Sequence, residues 1–123
     1  MKLYLSGPMS GYRNLNRDMH RLVKEWLEKK KGHEVVSPAL MDSVDGGPPT
    51  PRGKVGDRWI AFIMRDISMI LTMDLDGIVM MKGWEKSKGS RMELLAALCR
   101  GLKVFDEEMR EMKLESIPVE DLK

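Results

Sequence analysis

Cysteine is almost absent from this 123-residue chain; Cys99 stands alone, so no internal disulfide can staple the fold. A single thiol suits a reducing cytoplasm, and its setting among leucines and alanines predicts burial over nucleophilic use. Histidine is nearly as scarce. His20 and His33 have no partner at metal-ligand spacing, so both are expected to be structural or solvated. No apolar run approaches membrane-spanning length, and the N-terminus lacks a signal peptide's basic segment and long apolar core. A membrane partner is therefore not expected, and the cytoplasm is the expected location. Charge of one sign is missing too. A formal net charge of +2 is too small to argue for nucleic acid, although Arg13, Arg17, Arg21, Lys24 and Lys29 to Lys31 crowd one helix and acidic residues crowd the tail from Asp106.

What remains is ordinary globular material. Apolar residues make up 42% and charged residues 33%, enough for one core and one domain. Lys2-Leu-Tyr-Leu5 reads as a short buried strand, stopped by Ser6-Gly-Pro-Met-Ser-Gly11. Leu15, Met19, Leu22, Val23, Trp26 and Leu27 recur at helical spacing, with Asn14 or Asn16 as the cap and Gly32 at the end. Glu34-Val-Val36 makes a second strand. From Ala39 to Asp57, glycines and prolines argue against regular structure, which predicts either a mobile flap over a site or plain disorder. A second long helix is expected from about Asp57 or Arg58 to Leu71, with Trp59, Ile60, Phe62, Ile63, Ile67, Ile70 and Leu71 as its apolar stripe. Asp76-Gly-Ile-Val-Met-Met81 is a third strand. A helix burying Leu94, Leu95, Leu98 and Cys99 follows, then Lys103-Val-Phe105 as a fourth strand. The tail reads as a short helix over Glu107 to Lys113 and an edge segment near Ile117.

Strand and helix alternate, which predicts a parallel sheet with helices on both faces, a flavodoxin-like three-layer α/β sandwich of four or five strands. The expected strand order is 2-1-3-4. Ligands of such sheets bind where the order reverses, outside the carboxyl ends of the strands. The Ser6–Gly11 loop and the Gly83–Ser90 loop both fall there. Neither is a dinucleotide fingerprint or a Walker loop, because the required glycine and lysine spacings are missing. Gly7 and Gly11, with Pro8, nevertheless permit a tight turn that brings backbone close to a ligand.

Two carboxylates stand out. Glu93 lies in the first turns of a helix that opens beyond the third strand, facing the expected crevice. Ser90-Arg-Met-Glu93 also matches a capping box, which would account for both residues without chemistry. Asp66 shares the Trp59, Ile63, Ile70 line at steps of four, three and four. A carboxylate on that buried face is either functional or held by a loop amide or an arginine.

The stretches Tyr4-Leu-Ser-Gly-Pro-Met-Ser-Gly11, Arg65-Asp66-Ile, the Asp76 strand and Ser87-Lys-Gly-Ser-Arg-Met-Glu93 occur in the same order in the nucleoside 2-deoxyribosyltransferase-like superfamily, and the chain resembles that family over most of its length. It looks nearest to small phage and bacterial members, so a phage-encoded copy would act in the host cytoplasm. The resemblance implies cleavage or exchange of the bond between base and deoxyribose, without metal or cofactor. Glu93 is similar to the family's nucleophile, Asp66 to the carboxylate that moves the proton, and Tyr4 to the tyrosine that orients the nucleophile. Ser87 occupies the position, six before the glutamate, where the family's transferases carry an aspartate and its monophosphate hydrolases a serine. A serine there avoids repelling a phosphate. The implied substrate is thus a 2′-deoxynucleoside 5′-monophosphate. Ser6, Gly7, Pro8, Met9, Gly11, Trp84, Ser87 and Gly89 are the expected substrate-binding residues. The resemblance also implies a homodimer or higher homo-oligomer. The family's phosphate-binding serine after the last strand finds no match beyond Ser116.

Overall fold

The computed structural model describes residues 1–9, 11–41 and 55–113, with backbone alone at 55–58. Four strands, β1 (Lys2–Ser6), β2 (Glu34–Val36), β3 (Gly77–Met80) and β4 (Lys103–Asp106), form one sheet ordered β2-β1-β3-β4. All three pairings are parallel, with Tyr4 opposite Val36 on one side and Ile78 on the other. Among the described residues four α-helices form, α1 (Arg17–Lys29), α2 (Pro38–Met41), α3 (Val55–Thr72) and α4 (Lys88–Arg100). This is the flavodoxin-like order expected from the alternation of elements. The order reverses between β1 and β3.

Side chains of a strand alternate between its faces, and β1 divides the core accordingly. Leu3 and Leu5 join Val23 and Leu27 of α1, together with Val79, Met81 and Phe105. Tyr4 points the other way, into a cluster with Ile70 of α3, Leu94 and Ala97 of α4, and Ile78, Met80 and Trp84. Ser6 shares Tyr4's parity, which aims its hydroxyl at α4. β3 and β4 approach closely at Gly77, where a Cβ would sit 2.9 Å from the Lys103 carbonyl oxygen and 2.9 Å from the Phe105 ring.

Several local expectations are corrected. On α4 the inward residues are Ser90, Glu93, Leu94 and Ala97, so Leu95 and Cys99 face outward and the thiol is exposed. The helix is phased by Glu93 and the small Ala97 fitting against the sheet, which turns two apolar residues to the outside. On α1, His20, Val23 and Leu27 are buried while Met19, Leu22 and Trp26 are not. Regular structure reaches further into the expected loop, since α2 covers Pro38–Met41 and α3 begins at Val55. The rest of that stretch, 42–54, lies outside the described residues, as do Ser116 and Ile117. The helix expected over Glu107 to Lys113 does not form. Asp106 Oδ1 accepts the backbone N–H groups of Glu108 and Arg110 instead, both at 2.9 Å. The chain then reverses through Met109 at φ +65°, and Glu111 bridges antiparallel to Phe105. A side-chain oxygen that captures nearby amides competes in this way with a helix.

Among the described residues, no helix is long and apolar enough to cross a membrane.

Candidate active site

The switch point holds a buried cluster built on Glu93. Glu93 is only 7% exposed although its side chain is ionisable. Ser6 Oγ donates to Oε1 at 2.8 Å and the Tyr4 hydroxyl donates to Oε2. Both donors come from β1, two residues apart on one face, and both reach the second turn of α4. Asp66, from α3, lies near enough to Glu93 for its charge and hydrogen bonding to raise the Glu93 carboxyl. Three elements thus converge on one carboxylate.

This geometry removes the capping-box reading of Glu93. The cap of α4 is Ser87, whose Oγ accepts the Ser90 N–H at 3.2 Å. Helix begins at Lys88, which puts Ser90 at the third helical position and Glu93 at the sixth. A residue there cannot reach back to the cap, and Glu93 instead turns inward. The capping-box pattern is real in the letters and unused in the fold.

Burial pushes the Glu93 carboxyl up to about 8, and the neighbouring charge of Asp66 pushes in the same direction, while the hydrogen bonds from Tyr4 and Ser6 oppose both. The Tyr4 phenol is raised well above 10 by burial and then by the Glu93 charge, so it stays a donor. The proton between Glu93 and Asp66 belongs to the pair. One carboxyl charged and one protonated is the state in which two acids in contact are stable. Asp66 is itself 8% exposed and is held by Arg65, whose Nη2 and Nε lie 2.8 and 2.9 Å from Oδ1. The buried-Asp alternative, a carboxylate pairing with an arginine, is therefore present together with the contact to Glu93.

A cleft of about 460 Å³ opens above the pair, a size that suits a small organic ligand. Gly7, Pro8 and Met9 line one side. Tyr12, Trp59, Phe62 and Ile63 supply an apolar and aromatic wall. Lys86, Ser87, Lys88 and Gly89 close the end at the start of α4, where amides that no helical carbonyl can reach carry partial positive charge. The Lys88 ammonium also lies 5.4 Å from the centre of the Trp59 ring. An anion is favoured at this end and a flat ring against the wall.

The β1 loop is held from behind. Asn16 Nδ2 donates to the Pro8 carbonyl at 2.9 Å, and buried His20 donates to the same oxygen through Nε2 at 3.3 Å. Burial lowers the His20 pKa, which keeps the ring neutral. Asn16 is the residue before α1 but makes no side-chain cap; its backbone is left-handed, at φ 61° and ψ 20°, where a capping residue is extended. Gly7 packs where a Cβ would meet Met81 Cβ at 2.7 Å, and Gly83 turns at φ +89°. Both glycines are thus required by the loops they occupy.

Of the expected site residues, Tyr4, Ser6, Asp66 and Glu93 meet in the cluster, and Gly7, Pro8, Met9, Ser87 and Gly89 line the cleft. Two do not. Trp84 is 4% exposed and packs in the core on the α3–α4 side, and Gly11 turns at φ +83° in the open, outside the cleft lining. Arg65, Tyr12, Lys86 and Lys88 enter the site without having been singled out. Arg65 was readable as the neighbour of Asp66; the two lysines flank Ser87. His33, by contrast, sits far from the cleft, with Nδ1 3.2 Å from the N-terminal amine. Among the described residues, no group of three or more His, Cys, Asp and Glu could hold a metal ion.

A comparison with curated proteins gives no match. The model of one family, a domain of unknown function designated DUF4406, matches residues 1–106, which span every strand and helix described above, and the chain belongs to that family.

Proposed function

We propose that the protein hydrolyses the N-glycosidic bond of a 2′-deoxynucleoside 5′-monophosphate and is a member of the nucleoside 2-deoxyribosyltransferase-like superfamily. The observation that carries this reading is Glu93: a buried carboxylate held by Tyr4 and Ser6, with Asp66 against it, beneath a cleft whose far end favours an anion. A structural carboxylate gains nothing from contact with a second one. A pair that shares one proton can supply both a nucleophile and an acid.

In the first step Glu93 attacks C1′ as the carbon–nitrogen bond breaks. The bond's electrons go to the base, which takes a proton from Asp66. In the second step Asp66 accepts a proton from water. The water oxygen attacks C1′, the bond to Glu93 breaks, and 2-deoxyribose 5-phosphate leaves. Two displacements retain configuration at C1′. Tyr4 and Ser6 hold the attacking carboxylate in place, and the start of α4 takes the 5′-phosphate through Ser87 and backbone N–H groups. The aromatic wall of Tyr12, Trp59 and Phe62 suits the base.

A second surface, away from the cleft lining, supports a homodimer. Ile60, Met64, Ile67 and Leu71 recur at steps of four, three and four along α3, and Ile60, Met64 and Leu71 are 44%, 62% and 50% exposed. Met92 and Leu95 are also exposed, on α4, which packs against α3. A seam of this spacing fits a second helix of the same kind. An exposed single thiol at Cys99 suits the reducing cytoplasm we assign to the protein.

The test is incubation with a panel of common and modified deoxynucleoside 5′-monophosphates, with and without a second free base. Free base and 2-deoxyribose 5-phosphate are expected, and loss of turnover in Glu93→Gln. Exchange product in place of the sugar phosphate would make the protein a deoxyribosyltransferase. Binding of nucleotides without any cleavage across the panel would reduce it to a binding module.

A further inference from the structure

The cluster contains one charged group that the two-carboxylate mechanism leaves without a task. Arg65 places two nitrogens on the same Asp66 oxygen, Nη2 at 2.8 Å and Nε at 2.9 Å, and its guanidinium lies 5.4 Å from the centre of the Phe62 ring. Its side chain remains 24% exposed and lines the cleft together with Lys86, Ser87 and Lys88. The arginine therefore bonds the buried pair and lines the same cleft as the α4 end that favours an anion.

Its position works against the mechanism. A cation on Asp66 stabilises the Asp66 anion, and the shared proton then rests on Glu93. Tyr4 and Ser6 favour the opposite arrangement, since both donate to a Glu93 carboxylate. Attack on C1′ requires Glu93 charged and Asp66 protonated. The groups facing the pair are then Tyr4 and Ser6 from β1, Arg65 from α3 and the start of α4. Lys86 and Lys88 also line the cleft, but among the described residues Arg65 is the cation that bonds Asp66 directly, and a ligand anion in the cleft competes for that bond.

We propose that Arg65 is a latch on the Asp66–Glu93 pair, which an anionic group on the substrate releases by drawing the guanidinium off Asp66. This rests on Glu93 being the nucleophile. The step moves one proton from Glu93 to Asp66, and no other bond is made or broken. The substrate's phosphate thereby contributes to the rate of the chemistry as well as to binding, and an unphosphorylated nucleoside enters the cleft but leaves the pair in its resting form. Arg65 is a positioning residue in this scheme, acting on the pair through charge.

The direct test reads the proton. In protein carrying ¹³C at the glutamate side-chain carboxyl, the Glu93 signal is identified by its loss in Glu93→Gln. Near neutral pH it is expected at the protonated position, and saturating inorganic phosphate should move it to the ionised one. In Arg65→Met the signal should be ionised from the start and insensitive to phosphate, whereas Arg65→Lys should restore the protonated resting form. Failure of phosphate to bind, a Glu93 signal that ignores bound phosphate, or a protonated Glu93 in Arg65→Met would each overturn the proposal. Kinetics give a second reading. The ratio of kcat on a deoxynucleoside monophosphate to kcat on the nucleoside should fall by roughly tenfold or more in Arg65→Met, with a higher KM for the phosphorylated substrate. Equal loss of kcat on both would mark Arg65 as merely structural and sink the latch. A phosphate-dependent Glu93 signal without cleavage of any nucleotide would leave the latch standing and remove the glycosidase. Cleavage without that signal would do the reverse.

Discussion

Replacing Glu93 by Gln should make the protein more stable in alkaline solution while abolishing its turnover. Burial and the Asp66 charge raise the Glu93 carboxyl from an ordinary 4.5 to about 8. A group whose folded-state pKa is raised holds a proton that the unfolded chain gives up. The stability it contributes is full below about pH 4.5 and is lost as pH rises through about 8. At about 1.4 kcal/mol per pH unit the whole effect is at most about 5 kcal/mol, and less where Asp66 takes part of the proton. Gln keeps the size and can still accept from Tyr4 or Ser6, but it does not titrate. The two proteins should therefore unfold alike near pH 4.5, and the variant should gain several kcal/mol by about pH 8.5. For a domain of this length, that gap is roughly 10 °C in melting temperature. Thermal or urea unfolding of both proteins at about pH 5, 7 and 8.5 measures it, with turnover assayed on the same samples. A stability difference that does not change with pH, or a wild type that is the more stable at about pH 8.5, would refute the argument. A site held at a cost to stability is what catalysis requires, and a helix cap would show the opposite trend.

Two further outcomes follow from the fold. Gly77→Ala should lower stability by about 1–3 kcal/mol, because its Cβ would press on the Lys103 carbonyl and the Phe105 ring at 2.9 Å; an unchanged urea midpoint would contradict it. Met64→Glu, at a 62% exposed position on α3, should leave the monomer folded and convert a dimer to a monomer in light scattering, and an unchanged mass would clear that face of the role.

How far the sequence could be read depends on whether a feature is local. Alternation of strand and helix is local, and it was enough for the strand order and for the loop pair at the switch point. Tyr4 and Ser6 share a face by simple parity, and Asp66 sits on the inner line of α3 by helical spacing. What could not be read is how those lines are rotated against each other. The phase of α4 depends on Glu93 reaching β1, 87 and 89 residues away along the chain from its two partners. That long-range contact turned Leu95 and Cys99 outward against their apolar character. The tail shows the same logic at short range, since Asp106 caught the amides that a helix would have used. Trp84 reads as a ligand contact from its place in the loop, but a large ring directly after β3 finds more apolar surface in the core than in the cleft. The capping-box letters around Ser90 and Glu93 show the ambiguity most sharply. One pattern serves a cap or an inward-facing carboxylate, and only the start of the helix, three residues earlier at Ser87, separates them. With the cap moved to Ser87, the glutamate is released from the helix end, and the two donors on β1 together with Asp66 give its burial a chemical reason.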